Sequence, residues 1–78
     1  MESFQDYKKE AEQGNVLAQS QLGYMYLEGK GVDQDYSEAF GWFKLAADQS
    51  DPVAQYNLGF MYLEGNGVDQ DYSEAIKY

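Results

Sequence analysis

The side chains that could do chemistry here are almost all carboxylates. Asp and Glu number 14 against 5 Lys and Arg, and the 78 residues contain no His and no Cys. The usual nucleophile–base pairs are therefore missing. Any zinc would rest on carboxylates alone, which structural zinc sites do not do. Six of the acids cluster as Asp33, Asp35, Glu38 and Asp69, Asp71, Glu74. Asp33-x-Asp35-x-Ser37 opens like a calcium loop, but the sixth position is Glu38 where glycine is needed and the twelfth is Lys44 where glutamate is needed. Gly29-Lys30-Gly31 suggests a phosphate loop. Yet five residues separate Gly23 from Gly29, and no Ser or Thr follows the lysine. Nothing sets two carboxylates across a pocket. The expectation is a non-enzymatic chain with no metal and no cofactor.

The charge narrows the partners. It is 5 − 14 = −9, against nucleic acid, whose phosphates call for Lys and Arg. The 8 Tyr, 4 Phe and 1 Trp lack the basic groove that base stacking works with. No apolar run is long enough to span a membrane. The first residues, Met-Glu-Ser-Phe-Gln-Asp, show no basic region followed by an apolar stretch, so the default compartment is the cytoplasm. The length allows one small domain, whose core leaves only about 3–5 kcal/mol of net stability.

The elements that must position any site are repeated. With residues 16–42 set over residues 52–78, a shift of 36, 18 of 27 positions are identical. Gly31 through Ala39 recurs unbroken as Gly67 through Ala75, and Met25 through Gly29 as Met61 through Gly65. A period of this size belongs to stacked helix pairs. The first helix of each unit is predicted over 16–28 and 52–64. Asn15 and Asp51 serve as N-caps, Pro52 stands at a first helical position, and Gly29 and Gly65 form left-handed stops. Leu17, Ala18, Leu22, Met25 and Tyr26 read as its core face. Asp35 and Asp71 open the second helix, each with a Glu three residues on, a variant capping box. That helix runs to Ala47 or Asp48. Tyr36, Ala39, Phe40, Phe43, Ala46 and Ala47 face the core, and Trp42 and Leu45 widen the face, as expected of a helix packed on two sides. Shifted backwards, Phe4, Tyr7, Lys8 and Ala11 fall on Phe40, Phe43, Lys44 and Ala47, so residues 1–14 read as a capping half-unit. Residues 15–50 are then the first repeat. Residues 51–78 are the second, with a shortened last helix.

Ala18, Leu22-Gly23, Tyr26, Gly29, Gly31-Val32, Asp35, Ala39, Trp42 and Ala46-Ala47 together resemble the Sel-one-like repeat (SLR) family, relatives of tetratricopeptide repeats. Ala54, Leu58-Gly59, Tyr62, Gly65, Gly67-Val68, Asp71 and Ala75 repeat the pattern. The resemblance implies an all-α fold, an α/α solenoid, and a role in holding protein partners together. Family members with two Cys per unit are a different branch, since this chain has none. Tyr78 takes the Trp42 slot with no paired Ala after it.

Two features remain for function. A second stripe on the first helices runs Ser20, Tyr24, Leu27 and then Tyr56, Phe60, Leu63, at i, i+4, i+7. The resemblance places first helices on the concave surface, so the stripe is the candidate peptide or helix groove. Gln21, Asn57, Glu28 and Glu64 would form its rim. Tyr24, Tyr56 and Phe60 are expected to be exposed. Leu27 and Leu63 read equally well as packing on the preceding unit. The two ends also differ. Asp6 and Glu10 occupy the slots of Trp42 and Ala46, as a water-facing cap requires. Ile76 and Tyr78 end the chain on an apolar, uncapped face. This abrupt stop reads as a fragment or an engineered chain, and the uncapped end as a surface for a homo-oligomer. The alternative function is thus a self-associating structural module.

Overall fold

Each helix begins where a side-chain oxygen accepts a backbone N–H. In a computed structural model, which describes residues 3–78, five helices follow one another: α1 (Phe4–Glu12), α2 (Val16–Glu28), α3 (Tyr36–Ala47), α4 (Pro52–Glu64) and α5 (Tyr72–Ala75). Met1 and Glu2, the start of the expected capping half-unit, lie outside the described residues. Asn15 accepts from Ala18 N–H at 3.0 Å and Asp51 from Ala54 N–H at 2.8 Å. Gly29 and Gly65 close α2 and α4 in the left-handed conformation, where a Cβ would be strained. The 36-residue period therefore appears as a leading helix, a full helix pair α2–α3, and a second pair whose second helix is the four-residue α5.

Asp35 and Asp71 cap α3 and α5 through the Glu38 and Glu74 N–H groups, both at 3.1 Å. The reciprocal half of the expected capping box is not made. The Asp35 N–H is already committed to the Tyr26 carbonyl at 2.9 Å, and the Asp71 N–H to that of Tyr62 at 2.9 Å. These bonds tie each second helix to the end of the first. A reciprocal box does form on α1, where Ser3 and Asp6 exchange backbone and side-chain bonds. A hydroxyl, not a carboxylate, is the cap there.

The helices stack in order, α1 on α2, α2 on α3, α3 on α4 and α4 on α5. The backbones of α2 and α4 also meet, whereas among the described residues no Cα of α1 lies within 8 Å of α3, nor any of α3 within 8 Å of α5. First helices that touch beside second helices that do not make a stack that bends toward the α2–α4 side. Two apolar clusters fill it. Ala11, Ala18 and Leu22 form one, flanked by Phe4, Tyr7, Tyr26 and Trp42. Ala39, Phe43, Ala46, Ala47, Ala54, Leu58 and Met61 form the other. Edge-to-face ring pairs recur one period apart, Phe4–Tyr26 with centroids at 5.5 Å and Phe40–Tyr62 at 5.4 Å. The end of each unit is held by the next through glutamine: Gln19 Nε2 donates to the Ala11 carbonyl at 3.2 Å and Gln55 Nε2 to that of Ala47 at 3.3 Å.

Phe43, Leu22 and Leu58 are core residues as expected from the sequence. Tyr26, Phe40 and Trp42 are only half-buried. Each lies at the margin of a cluster, and the outer side of Trp42 opens onto a hollow shared with Gly41 and Leu45. The gap between successive second helices leaves that side uncovered. The same gap leaves Leu45 exposed, although α3 does pack on two helices, α2 and α4; Tyr36 is exposed too, at the start of α3, beside a hollow it shares with Leu27 and Asn57. Leu17, assigned to the core face, is 75% exposed; Ala18, its neighbour, points to α1 in its place.

Candidate functional site

The surface of α2 and α4 offers one continuous exposed stripe per helix. On α2 it is Leu17, Gln21, Tyr24 and Glu28; on α4 it is Val53, Asn57, Phe60 and Glu64. The spacing i, i+4, i+7, i+11 keeps both on one helical face. All are exposed except Asn57, which is half-buried and donates to the Val53 carbonyl at 2.9 Å. Because α2 and α4 touch, the two stripes lie side by side as a ridge with apolar and polar members in matched order.

Two hollows bracket this ridge. At the helix N-terminal ends, Leu17, Gln21, Asp51 and Val53 line one of about 450 Å³. At the other end, Glu28, Tyr36, Asn57 and Phe60 line one of about 200 Å³. Glu28 and Glu64 are the last residues of their helices, where the helix dipole disfavours a carboxylate by about 0.3–1 kcal/mol. Local helix stability does not explain them. The ammonium of Lys30 stands 5.6 Å from the centroid of the Tyr24 ring, a cation–π contact at the edge of the site.

The structure rearranges the stripe expected from the sequence. Tyr24, Tyr56 and Phe60 are exposed, as is Leu63. Ser20 is not: it is buried, at 8% exposure, where it shares a hollow with Asp51 and Val53 at the start of α4. Leu27 is half-buried against the cluster of α3 and α4. Positions 20 and 27 thus face the following first helix. Among the described residues no such helix covers Tyr56 and Leu63, one period later, and Tyr56 is 72% exposed. Leu17 and Val53 were missed as surface residues. Their signal was present, since Gln21 and Glu28 share the stripe of Leu17, and polar members mark a face turned to water. The acidic clusters act as caps through Asp35 and Asp71, and among the described residues no group of three acids could hold a metal ion. None of the described helices is long and apolar enough to cross a membrane.

Helix pairs of this length, capped and spaced this way, define an SLR solenoid. The Sel1 repeat family model matches residues 16–51 and 52–78, and the chain belongs to that family. Solved structures agree. The chain is similar to c5321, a protective antigen of uropathogenic Escherichia coli strains with an SLR fold, at 44% identity and a TM-score of 0.93, over 95% of this chain and 16% of that one. It is similar to a Sel1 repeat protein from Oxalobacter formigenes, at 54% identity and a TM-score of 0.79, over 81% of this chain and 26% of that one. It also resembles Helicobacter pylori cysteine rich protein B, at 28% identity and a TM-score of 0.88, over 95% of this chain and 56% of that one. The chain spans less than two thirds of the length of each of these proteins. No curated protein matches it. Sel1 repeat proteins are generally protein-interaction scaffolds.

Proposed function

We propose that this chain is a non-enzymatic interaction module whose α2–α4 ridge binds a peptide or helix of another protein. The observation that carries the reading is the register of the ridge. Leu17, Tyr24, Val53 and Phe60 stand exposed on adjacent helices, and Glu28 and Glu64 sit at the same end of both. The bend of the stack toward this side makes it the concave face. An amphipathic segment with apolar anchors and one or two Lys or Arg residues complements it, and the charge of −9 speeds encounter with such a segment. Leu27 and Tyr56 contribute at the margins, Ser20 through the floor of the N-terminal hollow, and Leu63 beside Phe60.

The test is a binding screen of basic amphipathic peptides by fluorescence anisotropy. Tyr24→Ala and Phe60→Ala should each weaken a bound peptide about tenfold or more while the thermal midpoint holds. Affinity that ignores both substitutions would overturn the reading. A specific observation also favours self-association: Ile76, 85% exposed, and Tyr72 leave apolar surface on α5 and the turn after it. Sedimentation velocity separates the two. Stacking of like-charged copies tightens as salt rises, and binding of a basic peptide loosens.

A further inference from the structure

One turn carries a side chain that can react with its own backbone. Asn66 and Gly67 follow α4, at the slots that Lys30 and Gly31 hold after α2. The chain has three asparagines, and the other two are tied down. Asn15 accepts from the Ala18 N–H at 3.0 Å and precedes Val16 at the start of α2. Asn57 donates to the Val53 carbonyl at 2.9 Å inside α4, and Leu58 follows it. Asn66 is held through its backbone N–H, which donates to the Met61 carbonyl at 3.0 Å. Its side-chain amide and the Gly67 N–H have no hydrogen-bond partner among the described residues. Gly67 is exposed. The packing keeps a glycine here: φ is 73°, and a Cβ would run into the Tyr36 carbonyl and stand 3.0 Å from the Ser37 nitrogen. The nitrogen after Asn66 therefore has no side chain to shield it. Lys30, which a further unit follows, is exposed, so a following unit does not close this slot to water.

We propose that Asn66 is a site of spontaneous deamidation in the folded chain, with water as the only co-reactant. Asparagine is a chemically labile residue, and here both reacting groups are unengaged. The Gly67 nitrogen, its proton lost to hydroxide, attacks Asn66 Cγ. A new C–N bond closes a succinimide ring, and the Cγ–Nδ2 bond breaks with release of ammonia. Water then opens the ring. Entry at Cγ gives aspartate; entry at the main-chain carbonyl carbon gives isoaspartate. The balance is one amide and one water for one carboxylate and one ammonium. Either product adds a negative charge to the −9 of the chain, at the slot where the first unit carries Lys30. The new carboxylate enters the hollow of about 200 Å³ that Asn66 lines with Glu28, Tyr36 and Phe60. Isoaspartate also lengthens the main chain by one methylene, in a turn that is already pressed against the first turn of α3. The reaction stands whether or not the ridge binds a peptide.

The experiment incubates the whole chain at neutral pH, with circular dichroism to verify that it stays folded, and follows each asparagine by tandem mass spectrometry. Aspartyl and isoaspartyl peptides are separated by chromatography. The amide-to-acid mass increase should appear at Asn66 while Asn15 and Asn57 keep their amides. Both products should form, since the isoaspartyl form arises only through the ring. Asn66→Lys, which copies the first unit, should abolish the mass increase and leave the helix content unchanged. Retention of the amide at Asn66 in the folded chain would overturn the proposal, above all where the urea-unfolded chain loses it. So would equal loss from all three asparagines, or an aspartyl product with no isoaspartyl form beside it.

Discussion

The ring of Phe43 rests on the backbone of α2 at Gly23, where a methyl group would come within 2.9 Å of it. This contact joins the two helices of the first repeat. Helix propensity and packing pull in opposite directions at this position.

Gly23→Ala should therefore destabilise the fold, although alanine is the better helix former by about 0.8–1.0 kcal/mol. Gly41→Ala should do the reverse. Gly41 is exposed on α3 and a Cβ there meets nothing within 4 Å, so the propensity gain is kept. Urea melts of the two variants should shift to opposite sides of the parent. Shifts of the same sign would mean that the Phe43 ring yields easily.

Trp42 and Phe43 should separate in the same assay. Phe43 is fully buried, and Phe43→Ala should cost about 3–5 kcal/mol, enough to unfold most of the population. Trp42 is half-buried on the margin of a cluster, so Trp42→Ala should cost less and leave a cooperative transition. Far-ultraviolet circular dichroism against temperature reads both. Equal losses would place Trp42 in the core after all.

Ser50 holds a left-handed backbone, φ 70°, at the slot where the leading half-unit has Gly14 at φ 96°. A residue with a Cβ is strained there by roughly 1–2 kcal/mol. Ser50 is exposed, so its replacement uncovers no core surface. Ser50→Gly should raise stability by a few tenths to about 1 kcal/mol, the unfolded-state entropy of glycine offsetting the rest. A rise in the urea midpoint with unchanged slope is the expected result.

Alkali should unfold the chain sooner than its helix content suggests. Burial holds the Tyr62 hydroxyl above the usual tyrosine range, with Tyr78, Glu74 and Asp71 adding to it against Lys44. Burial raises Tyr26 as well, helped by Glu38, Asp35 and Glu12. A raised native value means the unfolded chain loses its protons first. Stability is then complete below about pH 10, the ordinary tyrosine value, and declines as pH rises through the raised native values. Tyr26→Phe with Tyr62→Phe should flatten much of that decline in a series of melts. The ammonium groups of Lys44 and Lys77, held above the usual lysine range by their bonds to Asp48 and Glu74, act in the same direction. An unchanged decline would mean that neither ring titrates with unfolding.

Local signals carried most of the fold. The bounds of α2 and α4, their asparagine and aspartate caps and their glycine stops were all legible, because each depends on a few neighbouring residues. The site was half legible. Tyr24 and Phe60 were found because an aromatic off the core face is conspicuous. Ser20 was misplaced and Leu27 was left open because what covers them belongs to the next unit, 30 or more residues on. Leu17 was misplaced because an apolar residue beside Ala18 reads as core until the direction of α1 is known. The incomplete capping box has the same origin: the Asp35 N–H is taken by Tyr26, a bond that no local pattern announces.

The contrast between Ser20 and Tyr56 reaches beyond binding. A hydroxymethyl group stands at position 20, buried where α4 begins, and a phenol at the equivalent place, in open water. A joint between units thus asks for a small side chain at this position: a first helix seated on α4 as α4 is seated on α2 would meet the Tyr56 ring where α4 meets only a hydroxymethyl group.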